Sequence, residues 1–391
     1  MELSVVVVVH DMPHAARHTL RALAADHQRG LVASDYEVVV VDNGSAPPLD
    51  PAIVAALPGT FRWLRIGDAT PSPAPAVNRG VAAARGVVLG VIADGARIAT
   101  PGLLATARRA VASHPRAVVT TVGWLLGRAA PETACTADDE VTAAATARLL
   151  AASGWPGDPY RLFEVSRLDG SMHWFGPGSE STALFLPRDL WKELGGMDER
   201  FTEPGGGFVC LDLYARALAL PGIEPMLLLG EGTFHQPHGG VSTDIPPGDL
   251  APHVARWHDA YRAIAGSDLH LSTPDLTYFG RMPEPWRAQL GSWVMREVLE
   301  QVPALAAARS RLEARTPPAE RTIWTDLHAM RDLLLRADAA VAAAEATAAA
   351  ATADAERARA EACAARDALA RVERTWSWRL TTPLRWAARR R

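Results

Sequence analysis

The sequence predicts an α/β fold in which a mostly parallel sheet is sandwiched by helices and followed by a helical C-terminal extension. Two continuous β-branched runs, "SVVVVVH" at 4–10 and "YEVVVVDNGS" at 36–45, are typical of strands that are buried on both faces. Helical patterns alternate with these and later strand patterns, as expected for a parallel sheet with helical crossovers. After about residue 245 the pattern becomes helical.

Each further element of the sheet domain has its own signal. A helical pattern, "AARHTLRALAADHQ", follows the first strand. The remaining predicted elements are a strand at 60–68, an Ala-rich helix at 78–86 that ends at a glycine, a strand at 87–94, a helix at 101–114 with proline at its start, and strands at 117–126, 181–190 and 224–234.

Changes in composition divide the 391 residues into four segments. The α/β pattern predicts a domain over 1–245, and a helical extension over 246–335. Residues 336–372 are an Ala-rich low-complexity stretch that favours one long helix, and 373–391 form a tail rich in Trp and Arg.

Composition excludes several classes of protein. A net charge of -4 argues against wholesale nucleic-acid binding, and three scattered cysteines indicate neither a disulfide framework nor a zinc site. The first apolar run is too short to span a membrane and has no cleavage pattern, so we expect a cytoplasmic protein. No GxGxxG follows the first strand, which disfavours a dehydrogenase.

Three acids follow predicted strands: Asp11, Asp42 and Asp94. Ligands of open α/β sheets bind beyond the carboxyl ends of the strands, so these acids are expected to meet at one ligand site. Each also has a purely structural interpretation. Asp42 begins the good turn sequence Asp-Asn-Gly-Ser, and Asp94 could cap the next element.

Four segments occur in an order and at spacings that resemble the inverting family 2 glycosyltransferases of the GT-A fold, of the bacterial polysaccharide type. They are "SVVVVVHDMPHAARHTLRAL", "YEVVVVDNGS", "NRGVAAARGVVLGVIADGARIATPGLL" and "LGGMDERF". The resemblance covers roughly residues 4–245.

This resemblance implies a nucleotide-sugar donor at the carboxyl edge of the sheet. It implies that residues at the end of the first strand and in the second and third of these segments bind the donor, with Asp94 facing the ribose. The implied donor-binding residues are Val8, His10, Asp11, Asp42, Asn43, Gly44, Asn78, Arg79 and Asp94.

The sequence departs from the family where a divalent metal, Mg or Mn, is usually held. The Asp-x-Asp place is Asp94-Gly95-Ala96, so the metal-binding acid is missing. We expect His235 and His238, in the loop "GEGTFHQPHGG", to contact the metal or the diphosphate instead. A histidine pair at this spacing is weak evidence by itself, and a structural role stays open.

A second departure concerns the catalytic base, because Cys210 occupies its usual place. Asp212 is the first candidate base and Glu180 the second, with Glu203 as a further competitor. Asp212 could instead stabilise a helix N-terminus. Trp174 and Phe175 are candidates to stack on a sugar acceptor, with ordinary packing as the alternative.

The tail at 374–391 alternates arginines with tryptophans and leucines, which favours the surface of an anionic membrane or a protein partner. A disordered basic tail is the alternative. With the tail docked, the protein would be peripheral at the inner face of the membrane.

The resemblance implies a hexosyl- or deoxyhexosyl-transferase that uses a glycan or lipid-linked acceptor in cell-surface polysaccharide synthesis. The missing acids also leave a different class open. This is a catalytically impaired subunit of the same fold that binds a nucleotide or a partner.

Overall fold

The computed structural model describes residues 1–127, 139–152, 154–155, 158–168, 183–238, 247–272, 274–281, 357–362, 364 and 366–367. The chain divides into two compact units, Met1–Arg287 and Ala288–Arg391. The first unit contains the sheet. In the second, the described residues are helical. The division of residues 246–391 into three segments stays a prediction.

One mixed sheet forms the centre of the first unit. Its strands are β1 (Leu3–Val9), β2 (Tyr36–Asp42), β3 (Phe61–Arg65), β4 (Val88–Ile92), β5 (Arg97–Ala99), β6 (Ala117–Leu126), β7 (Ser166–Leu168), β8 (Leu184–Pro187), β9 (Glu224–His235) and β10 (Thr277–Gly280). The order across the sheet is β10-β9-β6-β8-β4-β1-β2-β3, and β5 and β7 pair with β9 and β6 respectively.

Helices lie along the connections between these strands. They are α1 (Pro13–Ala22), α2 (Pro51–Ala55), α3 (Ala74–Ala83), α4 (Leu103–Ser113), α5 (Asp139–Ala152), α6 (Arg188–Leu194), α7 (Val209–Ala219) and α8 (Pro247–Ala265), with 3-10 turns at Pro159–Val165 and Pro204–Gly206. None of the helices in the described ranges is long and apolar enough to cross a membrane.

The predicted α/β class with a mostly parallel sheet is confirmed. β1, β2 and β4 pair in parallel, and every residue of these three strands is buried. Their valines are therefore buried on both faces of the sheet, as the continuous β-branched runs predict. The antiparallel members are β5, β7 and β8.

Some element boundaries differ from the predictions. The strand expected at 181–190 ends at Pro187, and Arg188 begins α6, which stops at Gly195 in a left-handed conformation (φ 73°). The helix expected from Pro101 begins at Leu103, after a turn at Pro101 and Gly102. The stretch expected to be a helical extension begins with α8 but also supplies β10, which adds to the sheet beside β9.

Candidate functional site

Asp94 and the two loop histidines are brought together by the pairing of β5 with β9. This pairing is antiparallel, with Arg97 opposite His235 and Ala99 opposite Thr233. One more hydrogen bond continues it, since the backbone N–H of Gln236 donates to the carbonyl of Ala96 over 2.8 Å. The end of β9 thus lies beside the segment that follows β4, at the carboxyl edge of the parallel strands.

The side chains of Asp94, His235 and His238 converge on one point. Asp94 Oδ2 lies 2.8 Å from His235 Nε2, and Asp94 Oδ1 lies 3.6 Å from His238 Nε2. The two Nε2 atoms are 2.9 Å apart. Two imidazole nitrogens at this distance cannot both carry a proton directed at the other, so at least one of them presents its lone pair to the cluster. All three potential ligand atoms lie within 4.8 Å of one another, so these residues could hold a metal ion.

Burial and charge set the protonation states of this cluster. Burial opposes ionisation of Asp94, but the neighbouring histidines hold the pKa of its carboxyl well below the usual value. Burial lowers the pKa of His235, with Arg97 adding to the effect against the attraction of Asp94. Near neutral pH the cluster therefore contains a carboxylate and a neutral His235 imidazole, which are the forms that bind metals.

Arg97 places a positive charge beside the Asp94 carboxylate. Its Nε lies 3.5 Å from Asp94 Oδ2, and its side chain is almost fully buried. The Asp94 side chain is 27% exposed and that of His235 is 4% exposed. A ligand can thus reach the carboxylate from solvent, while the imidazole of His235 forms the floor of the site.

Packing explains why no second acid follows Asp94. Ala96 is completely buried, and its N–H donates to Asp94 Oδ1 over 3.0 Å. Gly95 lies so close to β1 that a Cβ there would be 2.7 Å from the carbonyl oxygen of Val8. The Asp-Gly-Ala sequence therefore fits a segment pressed between β1 and β9.

Gln236 is a site residue that the sequence analysis missed. It is completely buried, and its Nε2 donates to the carbonyl of Ala15 and to Thr19 Oγ1, both on α1. Its Oε1 lies 2.8 Å from His18 Nδ1. Gln236 thereby anchors the turn between His235 and His238 on α1. No local sequence signal distinguishes such a glutamine from an exposed one.

The end of β2 differs from the end of β4. Asp42 is completely buried, Oδ1 accepts the N–H of Ser45 over 2.8 Å, and Oδ2 accepts the N–H of Leu49 over 2.9 Å. Gly44, next in this loop, has φ 73° and lies against Ala69. The loop therefore folds over its own carboxylate, as in the turn interpretation of Asp42. Nucleotide binding by Asp42 stays a prediction.

The neighbouring residues of this edge link the ends of β1 and β2. His10 Nδ1 lies 2.8 Å from the carbonyl oxygen of Asn43, and Asp11 Oδ1 accepts the N–H of Ala46 over 2.7 Å. Asn43 Nδ2 donates to the carbonyl of Thr70, but none of the residues that the structure describes donates to its buried Oδ1. Val8 is buried in β1, so only its backbone faces this edge.

The two candidates from α3 have protein partners. Asn78 Oδ1 accepts the N–H of Met197 over 2.9 Å, and its Nδ2 donates to the carbonyl of Met197 and to Glu199. It therefore fastens the "LGGMDERF" loop to α3. Arg79 forms a two-point ion pair with Asp68 on the surface, at 3.0 and 3.3 Å.

Asp212 also has a structural partner. Its Oδ2 lies 2.7 Å from Arg216 Nε, and Arg216 donates in addition to the carbonyls of Leu194 and Gly196. The pair ties α7 to the end of α6. Cys210 is half-buried on the same helix. Glu203 precedes the 3-10 turn, and its carbonyl accepts the N–H of Gly206. Trp174, Phe175, Glu180 and residues 374–391 lie outside the described residues.

Comparisons with known proteins find similarity only among solved structures. No protein-family model matches the chain, and a search of curated proteins finds no match. The structure is similar to S. aureus TarS 1-349 in complex with UDP-GlcNAc, with 14% identity, 67% of each chain covered and a TM-score of 0.42. It is also similar to the mannosyltransferase PcManGT from Pyrobaculum calidifontis in complex with GDP-Man and Mn2+, with 17% identity, 85% of this chain and 80% of that chain covered, and a TM-score of 0.40. At these identities and TM-scores both likenesses are distant.

Proposed function

We propose that this chain is a glycosyltransferase. It would move a hexosyl or deoxyhexosyl group, with inversion, from a nucleotide-sugar donor to a glycan or lipid-linked acceptor in cell-surface polysaccharide synthesis. The observation that carries the proposal is the convergence of Asp94, His235 and His238 at the carboxyl edge of a parallel sheet. A partly exposed carboxylate beside two imidazoles and Arg97 is a suitable place for a diphosphate leaving group and its counter-cation.

The donor site in this proposal lies beyond the ends of β1, β2 and β4. Asn43 supports a nucleobase there, because its buried Oδ1 is an acceptor that no described residue satisfies. A buried acceptor without a donor costs roughly 1–3 kcal/mol, and a ring N–H of a bound base would recover that free energy. Asp11 and His10 are both about half exposed and flank the same edge, where they can contact the ribose or base.

The ligand set fits a divalent metal ion. A carboxylate and two imidazole nitrogens are common metal ligands, and burial favours the neutral, metal-binding form of His235. A bound ion would supply positive charge to the leaving diphosphate. Arg97 supports the same negative charge from the protein side, since it is almost fully buried beside Asp94. Gln236 holds the histidine turn in position.

The catalytic base and the acceptor contacts remain proposals. Asp212 is the first candidate base and Glu180 the second, and Arg216 donates to Oδ2 of Asp212. Trp174 and Phe175 would stack on the acceptor sugar. Residues 374–391 would hold the protein at the inner face of the membrane, close to a lipid-linked acceptor.

A panel of UDP-, GDP-, dTDP-, CDP- and ADP-sugars tests the proposal, and the released nucleoside diphosphate is measured. We expect hydrolysis of one or more UDP-, dTDP- or GDP-sugars, whose bases carry a ring N–H, and weaker binding of that donor by Asn43→Leu. Ser113→Ala, a change in a hydroxyl at the end of α4, is the control. Absence of binding to every donor by calorimetry would overturn the proposal.

A catalytically impaired subunit of the same fold is the second candidate. The Asp212–Arg216 ion pair favours this candidate, because Asp212 is the acid that remains of the family's base motif and Arg216 binds its carboxylate. Donor binding without turnover, in the presence of divalent metals and with the full-length chain, would support this alternative.

A further inference from the structure

The Asp94–His235–His238 cluster offers a metal two nitrogen atoms and one carboxylate. Imidazole nitrogen suits ions such as Co2+ and Zn2+, whereas Mg2+ and Ca2+ prefer sites made of oxygen. Mg2+ in particular is usually bound through one or two carboxylates and keeps several waters. The metal-ligand atoms of this cluster therefore differ in kind from those of a site built from two acids.

The spacing of the cluster is close to that of neighbouring ligands on one small ion. Ligands about 2.1 Å from an ion lie roughly 3.0–3.4 Å from one another in tetrahedral or octahedral geometry. Asp94 Oδ2 lies 2.8 Å from His235 Nε2, and the two Nε2 atoms are 2.9 Å apart. The 3.6 Å distance to His238 Nε2 is that of the other carboxylate oxygen, Asp94 Oδ1. Small adjustments of the side chains would place all three donors on one ion.

The charge of the surroundings disfavours an ion that binds mainly by attraction to carboxylates. Arg97 lies 3.5 Å from Asp94 Oδ2, so its positive charge offsets the single negative charge of the cluster. A second acid cannot be added without disturbing the fold, because Ala96 is completely buried. Coordination by nitrogen must then supply the affinity that additional carboxylates supply elsewhere.

We propose that this cluster selects a divalent transition ion that favours imidazole, binding Co2+ and Zn2+ more tightly than Mn2+, and Mn2+ more tightly than Mg2+ or Ca2+. The proposal rests on the metal site of the proposed function and specifies its ion. It differs from the Mg or Mn that the sequence resemblance implies.

Calorimetry of the metal-free full-length protein with each of the five ions provides the first test. We expect one site per chain and Co2+ binding at least about 100-fold tighter than Mg2+ binding. The visible absorption of bound Co2+ is an independent readout, because its intensity and position report nitrogen ligands and coordination number. Equal affinities for Co2+ and Mg2+ in the wild-type protein would overturn the proposal without any variant.

Variants assign the selectivity to the histidines. His235→Ala and His238→Ala should each weaken Co2+ binding by at least about tenfold, and His238→Asp should narrow the gap between Co2+ and Mg2+. His270→Ala, a change in an exposed histidine between α8 and β10, is the matched control and should leave all affinities unchanged. Thermal melting checks that each variant is folded. Because the His238 side chain is less buried than that of His235, its two variants decide the test if His235→Ala does not fold.

Failure of this inference is distinguishable from failure of the proposed function. Unchanged Co2+ binding in folded His238→Ala and His238→Asp would overturn the metal assignment even if donor hydrolysis is observed. Selective Co2+ binding that His238→Ala weakens and that His238→Asp makes less selective would uphold it even if no nucleotide sugar is bound.

Discussion

Two acids that follow similar buried strands, Asp42 after β2 and Asp94 after β4, have different environments. The Asp42 carboxylate is completely buried and accepts two backbone N–H groups of its own loop. The Asp94 carboxylate is 27% exposed and faces two histidines from the end of β9 and the turn after it. A carboxylate at a strand end therefore acquires its role from the groups that the fold places opposite it.

The path of the chain after each acid explains the difference. After Asp42 the chain turns back through 43–49, so the backbone N–H groups of that loop point at the carboxylate. After Asp94 the chain continues into β5, which pairs with β9. The remaining oxygen of Asp94 is then left facing His235 rather than its own loop.

The largest expected effect is a loss of stability in Asp42→Ala. The N–H groups of Ser45 and Leu49 would remain buried without their acceptor, at roughly 1–3 kcal/mol each, so we expect the free energy of unfolding to fall by about 2–6 kcal/mol. Urea denaturation measures this loss. A stable Asp42→Ala variant that no longer binds nucleotide would contradict this expectation and would show that Asp42 contacts the ligand.

His27 is a second buried histidine, and within the part of the chain that the structure describes its Nε2 has no hydrogen-bond partner, unlike Nε2 of His235. Burial, together with Arg21 and Arg29, lowers the pKa of His27 from 6.5 to about 4 against the opposing attraction of Asp26. The unfolded chain therefore takes up a proton at a higher pH than the folded chain does. Stability contributed by neutral His27 is complete above about pH 6.5 and is lost as the pH falls towards 4, by up to about 3 kcal/mol.

His27→Phe should remove this pH dependence while keeping an aromatic ring against Trp155. The measurement is the free energy of unfolding from pH 7 to pH 4, with His270→Phe as the exposed control. An unchanged slope in His27→Phe would show that His27 does not contribute to the acid sensitivity.

Gly95, the residue after Asp94, packs the segment that follows β4 against the end of β1. A Cβ at this position would be 2.7 Å from Val8 O and 2.9 Å from Val9 Cγ2. We expect Gly95→Ala to cost about 1–3 kcal/mol of stability and to weaken Co2+ binding by displacing Asp94. Gly67→Ala is the matched control, because a Cβ there meets no atom within 4 Å. Equal behaviour of the two variants would contradict the close packing.

The smallest expected effect on stability is that of Asp94→Asn. The amide oxygen can still accept the N–H of Ala96, and the cost of burying a carboxylate offsets its attraction to Arg97, so we expect a change of about 1 kcal/mol. Binding of Co2+ should be lost in the same variant. A destabilisation as large as that of Asp42→Ala would show that both acids are structural.

The sequence by itself determined the class of the fold, and it predicted the sheet edge at which the candidate site residues lie. The valine runs of β1 and β2 favour buried strands, because β-branched side chains pack well on a sheet that is covered on both faces. The strand-end acids and the His235–His238 spacing were likewise visible as candidates. Their local patterns did not distinguish Asp42, held by its own loop, from Asp94.

Only the tertiary structure decided which of these candidates meet. The antiparallel pairing of β5 with β9 sets Arg97 opposite His235, and Gln236 anchors the following turn on α1. The pairing partner of a three-residue strand is not encoded in its own short pattern, because it depends on which distant strand the folded sheet places beside it. The Asp212–Arg216 pair is by contrast a local i, i+4 contact within α7, and only the hydrogen bonds from Arg216 to the carbonyls of Leu194 and Gly196 depend on the tertiary structure.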